Sequence, residues 1–328
     1  MNSKSSIPYN PKTPFTVDLL HPKYLFTWIG LCLLYPITKI PLAIQHSLGR
    51  MLGVLFLAFN KERKNIAKIN LSLCYPQLTN IQIEKLVIEN FKNLGIGIFE
   101  MGISWWSSEK GIKKLTKKYS NRKLLKDSVK DDQGMLVLIK HSTHLELDIR
   151  LISRNINMGG MYRTQKNLVI NHFMTKSRNS YLKGVVSNLE AKKGIVWIKK
   201  GLKFFYAADQ DYGRKVSKFV PFFDNLAATV TLPGDLAIKG ITVIFADVKR
   251  DGLAYEVNLH KFENLTSRNE FLLAMNKYYE KVISKAPAEY LWMHRRFKNT
   301  FEESKNIYPI MKSREKRRKK DRMKKGEN

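Results

Sequence analysis

The feature that most constrains the fold is an unbroken apolar run, Met135–Ile139, which follows a turn-forming Asp-Asp-Gln-Gly segment. A short apolar run between turn residues is typical of a strand buried on both faces. The apolar pattern stops before His141, and Ser142–Leu151 then predicts a helix with Ser142 or Thr143 as its N-cap. This order predicts an α/β fold with His141 at the carboxyl end of a strand, where open α/β sheets tend to form their sites.

A carboxylate close behind His141 indicates acid–base chemistry. About one helical turn brings Glu146 back toward the imidazole, and a His held by a carboxylate is a general base for a hydroxyl. His144 and Asp148 form a second pair at a similar spacing, so the residues alone leave the choice of pair open. Such spacings also arise by chance, and a structural role is the alternative. A metal site at His141 and His144 is not expected, because neither Cys nor a third His stands nearby.

The charge of the chain limits its partners. The sequence has 58 Lys+Arg against 28 Asp+Glu, a formal net charge of +30. Such a surface attracts polyanions: nucleic acid, an anionic membrane or acidic proteins. A hydrophobic content of 44% excludes a disordered protein. We predict a tail and anchor segment at 1–59, a catalytic domain at 60–305 and a basic, disordered tail at 306–328.

The N-terminal region contains a candidate membrane segment. Tyr24–Ile37 is apolar, and Met51–Phe59 is apolar again. A run of about 14 residues is shorter than the roughly 20 that a spanning helix needs, which favours an interfacial anchor or a marginal span. An ordinary core helix is the alternative. Basic residues directly downstream favour an anionic membrane with the remaining chain on its cytoplasmic side.

A second group of polar residues follows two further predicted strands. Met161–Arg163 ends one of them, and Lys199–Ala208 leads into the sequence Asp-Gln-Asp-Tyr-Gly. We expect this group to gather on the edge that bears His141, with a solvated turn as the alternative. Its members are Asp209, Asp211, Tyr212 and Arg214.

The sequence also gives four local predictions. Thr79 or Asn80 caps a long helix that runs to about Ser104. Asp251 and Gly252 form a hairpin turn between two strands. The sequence also predicts a loop over 219–223 and a helix of small residues over 227–238.

Seven blocks between about residues 20 and 300 together resemble one family. They are His21–Pro36, Asn65–Pro76, Ser104–Trp106, His141–Arg150, Met161–Arg163, Tyr206–Thr229 and Ala286–Lys298. In this order they resemble the late acyltransferases of lipid A biosynthesis, the lauroyl and myristoyl transferases. Each block is weak by itself, and the order makes the resemblance specific.

The resemblance implies a mixed β-sheet flanked by helices, as in glycerolipid acyltransferases, and an N-terminal helix anchored at the cytoplasmic face of the inner membrane. It implies transfer of an acyl chain from acyl carrier protein to a hydroxyl of a lipid A precursor such as Kdo2-lipid IVA. No covalent intermediate is expected, because no Ser or Cys is suitably placed in the motif, and no cofactor is expected. The family's catalytic pair falls on His141 and Glu146, with Glu146 holding the ring. Substrate binding is expected at Arg163, Asp209, Asp211, Tyr212 and Arg214.

Two other functions fit part of the sequence. A related acyltransferase could act on another membrane lipid, such as a glycolipid or an ornithine lipid. A basic, membrane-associated nucleic-acid-binding protein would explain the charge, but it leaves His141 and Glu146 without a role, and recognisable nucleic-acid motifs are absent from the sequence. We therefore expect no nucleic-acid partner.

Overall fold

A mixed seven-stranded sheet organises the chain. The computed structural model describes residues 14–125, 134–302 and 306–308. The strands are β1 (Thr116–Ser120), β2 (Met135–Ile139), β3 (Met158–Tyr162), β4 (Gly184–Ser187), β5 (Lys203–Ala207), β6 (Ser217–Phe222), β7 (Asn225–Val230), β8 (Thr242–Asp251) and β9 (Ala254–Lys261). The sheet order is β1-β9-β8-β2-β5-β3-β4, and β6 pairs with β7 separately. Only the β8–β9 pair of the large sheet is antiparallel, so the predicted mixed α/β sheet is confirmed.

Helices cover both faces of this sheet. They are α1 (Leu25–Ile37), α2 (Leu42–Phe59), α3 (Lys61–Cys74), α4 (Asn80–Trp106), α5 (Glu109–Leu115), α6 (Leu145–Ile152), α7 (Leu168–Tyr181), α8 (Ala191–Lys199), α9 (Leu232–Ala237) and α10 (Arg268–Lys285). The predicted cap of α4 is confirmed, because Thr79 and Gln82 form a reciprocal capping box. This box satisfies two backbone donors at the start of the longest of these helices.

Burial of β2 on both faces follows from its apolar sequence. All five of its residues are buried. Leu136 and Leu138 belong to the core formed with α3, α4, α8 and α10. Val137 and Ile139 belong to the opposite core, which includes residues of α5 and α6. The expectation of a central, doubly covered strand is confirmed.

The helix suited to a membrane is α2 rather than the expected Tyr24–Ile37 segment. α2 is long and apolar enough to cross a membrane, and only 17% of it is buried. Its buried side packs on α4 through glycines, and a Cβ on Gly53 would lie 2.1 Å from the carbonyl oxygen of Phe91. α2, which lies within the predicted anchor segment 1–59, is therefore packed against α4. The opposite side of α2 exposes a set of large apolar side chains: Met51, Val54, Leu55 and Phe59.

Three local expectations differ from the structure. The predicted loop at 219–223 and helix at 227–238 are instead the β6–β7 hairpin followed by the short α9. Phe223 and Asp224 form its turn with positive φ angles. Tyr308, placed by prediction in the tail, is buried and donates a 2.5 Å hydrogen bond to Asn70. Residues 309–328 of the predicted tail lie outside the described residues.

Candidate active site

The pairing of β2 with β5 brings His141 and Asp209 together. Ile139 and Ala207 are paired in these parallel strands, and each is followed two residues later by His141 or Asp209. The Asp209 carboxylate accepts from the His141 backbone N–H at 2.8 Å and from its Nδ1 at 2.6 Å. Because Nδ1 donates its proton to Asp209, the lone pair of the imidazole lies on Nε2. This is the tautomer that a general base requires.

Asp209 is fully buried, so its charge depends on His141. Burial alone would raise the pKa of Asp209, but the charge and hydrogen bonds of His141 outweigh burial and lower the pKa. Asp209 is therefore an ionised carboxylate that can stabilise an imidazolium on His141.

Glu146 does not hold the His141 ring as expected. Its carboxylate pairs with Arg178 of α7, which donates to Oε1 through Nη2 and to Oε2 through Nε at 3.2 Å. The physical reason is that α6 begins only at Leu145, with His144 as N-cap, so no full helical turn separates Glu146 from His141. Asp209 occupies the position that the sequence assigned to Glu146.

The alternative pair, His144 and Asp148, belongs to a buried polar network. His144 Nδ1 lies 2.5 Å from Asp148 Oδ1, and its Nε2 lies 3.1 Å from Glu289 Oε2. Burial lowers the pKa of His144, but the two carboxylates outweigh burial and raise it to about 9. With both ring nitrogens engaged, His144 has no lone pair to offer a substrate hydroxyl.

A cavity of about 550 Å³ opens beside His141. Its polar end contains the ring of His141 and the Glu146–Arg178 pair. The cavity is also lined by apolar groups from α6, from the sheet and from the chain after α7: Ile139, Ile149, Gly160, Leu182, Val185 and Phe205. The cavity thus joins a base and a fixed cation to an apolar compartment.

The other predicted site residues are divided between the cavity and its surroundings. Arg163 is exposed at the rim, and Tyr212 lines the cavity while its hydroxyl donates to the Ala207 carbonyl at 2.6 Å. Asp211 also lines the cavity, but its carboxylate accepts from the backbone of Gly213 and Asn299, which ties two loops together. Arg214 is not among the cavity residues. It donates to the Thr300 carbonyl and lies over the Phe219 ring.

Sequence reasoning did not assign roles to Arg178 and His294, which also line the cavity. Arg178 shares one side of α7 with Met174 and Tyr181, and an arginine on such a side is a signal for a buried ion pair. His294 Nε2 accepts from the Asp211 backbone N–H at 3.3 Å. Burial and His141 lower the pKa of His294 to about 4, so its ring is neutral.

Comparison with known proteins assigns the chain to a family. The family model described as bacterial lipid A biosynthesis acyltransferase matches residues 12–299. The chain is 33% identical to the lipid A biosynthesis lauroyltransferase of Escherichia coli K12, covering 87% of this chain and 95% of the relative. It is 32% identical to the lipid A biosynthesis palmitoleoyltransferase of the same strain, covering 88% of this chain and 96% of the relative. It is 22% identical to the lipid A biosynthesis myristoyltransferase of the same strain, covering 94% of this chain and 98% of the relative. The chain therefore belongs to the bacterial lipid A biosynthesis acyltransferase family and is an acyltransferase of that pathway.

Proposed function

We propose that the enzyme transfers a fatty acyl chain of the lauroyl or myristoyl class from acyl carrier protein to a hydroxyl of a lipid A precursor such as Kdo2-lipid IVA. The observation that carries this proposal is the His141–Asp209 pair beside a cavity with an apolar interior. Relatives named as lauroyl-, palmitoleoyl- and myristoyltransferases support the same class of acyl chain.

His141 acts as the general base in this reaction. Its Nε2 takes the proton of the acceptor hydroxyl, and the oxygen attacks the thioester carbonyl. The tetrahedral intermediate collapses, the C–S bond breaks, and the imidazolium returns the proton to the leaving thiolate, which departs as the free thiol of acyl carrier protein. Asp209 holds the ring and stabilises the imidazolium between these steps. Direct attack needs no covalent enzyme intermediate.

Arg178 is the group best placed to stabilise the developing oxyanion. Two amides near His141 are already engaged, since Thr143 N donates to the Glu289 carbonyl and His144 N donates to Ser142 Oγ. Arg178 lines the same cavity as His141, and Glu146 fixes its guanidinium by two hydrogen bonds. A cation held in place before the reaction costs little reorganisation when charge develops. Glu146 is then a positioning residue for Arg178.

Arg163 at the rim is proposed to bind a phosphate of the acceptor. A guanidinium grips a phosphate through two parallel hydrogen bonds, which the ammonium of lysine cannot reproduce. Arg163→Lys should raise the acceptor KM about tenfold, with the donor KM and the melting temperature unchanged. Steady-state kinetics with each substrate varied in turn measure this. A large melting shift with an unchanged acceptor KM would contradict phosphate binding.

The apolar N-terminal surface is proposed to lie on the cytoplasmic face of the inner membrane. α1 and α2 expose large apolar side chains. Met174 lines the cavity and packs in one cluster with Leu31 of α1, so the cavity lies next to this surface. A lipid acceptor could then reach His141 from the bilayer. The net charge of +30 suits both anionic lipid and the acidic acyl carrier protein.

The proposed function is tested by a transfer assay with purified protein. Lauroyl and myristoyl acyl carrier protein are offered with Kdo2-lipid IVA, a glycolipid or an ornithine lipid, and the products are identified by mass spectrometry. We expect acylation of the lipid A precursor and its loss in His141→Ala, with the melting temperature retained. Acylation of another lipid alone would contradict the proposed acceptor, and an active His141→Ala would contradict the mechanism.

A further inference from the structure

We propose that Gly160 determines how long an acyl chain the cavity accepts, because the missing side chain at this position leaves the inner part of the cavity open. This inference rests on the proposed function. It names a position that determines specificity and that neither touches His141 nor takes part in the reaction.

The two glycines of β3 face opposite sides of the sheet. A Cβ on Gly159 would lie 2.7 Å from Leu202 Cδ2 and 3.3 Å from the Trp197 ring, which belong to the core beneath α8. Gly160 faces the other side and lines the cavity. A Cβ on Gly160 would meet only Phe205, at 3.5 Å, which is an ordinary van der Waals contact. Close packing therefore explains Gly159 but not Gly160.

Strand register places Gly160 far from the reacting group. Gly160 pairs with Phe205, which pairs with Val137 of β2. His141 lies four residues beyond Val137, roughly 13 Å along the strand, and two strand spacings add about 10 Å across the sheet. A chain whose carbonyl lies at His141 must cross the sheet to reach Gly160. The carbons near Gly160 are then those at the methyl end.

The surroundings of Gly160 form an apolar compartment of limited size. Val185 is paired with Gly160 on the neighbouring strand, and Phe205 flanks its other side. Ile149 and Leu182 line the same cavity. A side chain at position 160 would project from the sheet into the path of the acyl chain. Exclusion of one methylene from an apolar pocket changes kcat/KM by about 10- to 200-fold.

The test is a competition among decanoyl, lauroyl, myristoyl and palmitoyl acyl carrier protein for one lipid A precursor, with the products resolved by mass spectrometry. Gly160→Ala and Gly160→Leu should move the product distribution toward shorter chains. We expect Gly160→Leu to change the ratio of longer to shorter product by about tenfold or more. Val185→Ala, which enlarges the same compartment, should move the distribution toward longer chains.

Gly159→Ala is the matched control, since it adds the same methyl group on the opposite face of the strand. It should lower the melting temperature, because its Cβ meets Leu202, and should leave the product distribution as in the wild type. A wild-type distribution in both Gly160 variants would overturn the inference while leaving the proposed function intact. Wild-type protein that transfers no acyl chain from any donor would overturn the proposed function itself.

Discussion

The carboxylate of Asp209 contacts His141 at two points, the backbone N–H and the ring. The first contact holds the end of β2 against the end of β5, and the second selects the tautomer. The Tyr279 hydroxyl adds a third connection, because it donates to the Ile139 carbonyl and accepts from the Ala208 N–H. The His141 imidazole is thus held by buried groups that follow two strands and by a tyrosine of α10.

Asp209→Asn should reduce kcat by on the order of 10²- to 10⁴-fold, because an amide cannot stabilise the imidazolium and favours the wrong tautomer. The KM values should change little, since the side chain lies beneath the ring rather than in the cavity. Steady-state kinetics measure both quantities. Asp224→Asn, the same chemical change at the exposed β6–β7 turn, is the control and should retain wild-type rates. Activity near wild type in Asp209→Asn would contradict its role.

The Glu146–Arg178 pair joins α6 to α7 inside the cavity, and both side chains are largely buried, with 16% and 8% exposed. A buried Arg178 cation without its carboxylate partner would lower the free energy of unfolding. Glu146→Ala should therefore lower both kcat and the free energy of unfolding, the latter by about 3 kcal/mol. His141→Ala should lower kcat alone.

A double-mutant cycle with Arg178→Ala separates the two effects. We expect a coupling free energy of about 0.5–3 kcal/mol in unfolding experiments. If the two variants instead lose unfolding free energy additively, and if Glu146→Ala displaces the pH–rate profile, then Glu146 acts on His141.

At the scale of elements, the loop after β2 is bound to the segment that follows α10. Thr143 N donates to the Glu289 carbonyl at 2.7 Å, and Leu291 N donates to the His141 carbonyl at 2.9 Å. The buried His144 side chain crosses between the same two segments, joining Asp148 to Glu289. These contacts position the loop on which His141 lies.

This arrangement predicts a pH dependence of stability. The pKa of His144 is raised from 6.5 to about 9. Its contribution to the free energy of unfolding is therefore complete below pH 6.5 and is lost as the pH rises through 9. The pKa of Glu289 is lowered from 4.5 to about 2, so its contribution is complete above pH 4.5 and is lost as the pH falls through 2. We expect the melting temperature to fall by several degrees between pH 7 and 10.

His144→Gln is the comparison for this pH dependence, since it removes the titrating group at similar size. The variant should be less stable at pH 7 and should lose less stability than the wild type between pH 7 and 10. Parallel melting curves for the two proteins across this range would mean that His144 is not charged in the folded state.

At the scale of the whole molecule, the apolar N-terminal surface combines α1 with the outer side of α2. Phe26 is 85% exposed and Phe59 is 82% exposed, values that are unusual for phenylalanine in water. Glycine packing holds α2 along α4, with a Cβ on Gly95 only 2.0 Å from the Gly49 carbonyl oxygen. The surface therefore suits a protein that lies on a bilayer with its apolar side inserted.

Binding to anionic vesicles should persist at high salt, because salt screens the basic surface but not the apolar insertion. The double variant Leu55→Glu, Phe59→Glu should weaken binding by about tenfold or more, since each buried side chain contributes about 1.5–3 kcal/mol. Vesicle sedimentation over a salt series measures this. Leu253→Glu, at the half-exposed β8–β9 turn, is the control and should bind as the wild type does. Release of the intact protein by salt would show purely electrostatic attachment.

The sequence by itself determined the features that depend on neighbouring residues. The apolar run of β2, the N-cap of α4 and the Asp251–Gly252 turn were predictable, because the periodicity of burial, helix caps and turns are local properties. The same reasoning placed His141 and Asp209 at strand ends. It missed the β6–β7 turn, because a phenylalanine with positive φ, here Phe223, is rare.

Only the tertiary structure decided which of these residues meet. The adjacency of β2 and β5 gives His141 its carboxylate, and the packing of α6 on α7 gives Glu146 a partner 32 residues away in Arg178. Strand order and helix packing depend on contacts between distant parts of the chain, and the local pattern shows that a face is buried without showing what buries it. The same reason applies to Gly160. In the sequence, a glycine is compatible with a turn or with a close contact, and only the position of Gly160 in the sheet makes it part of a cavity.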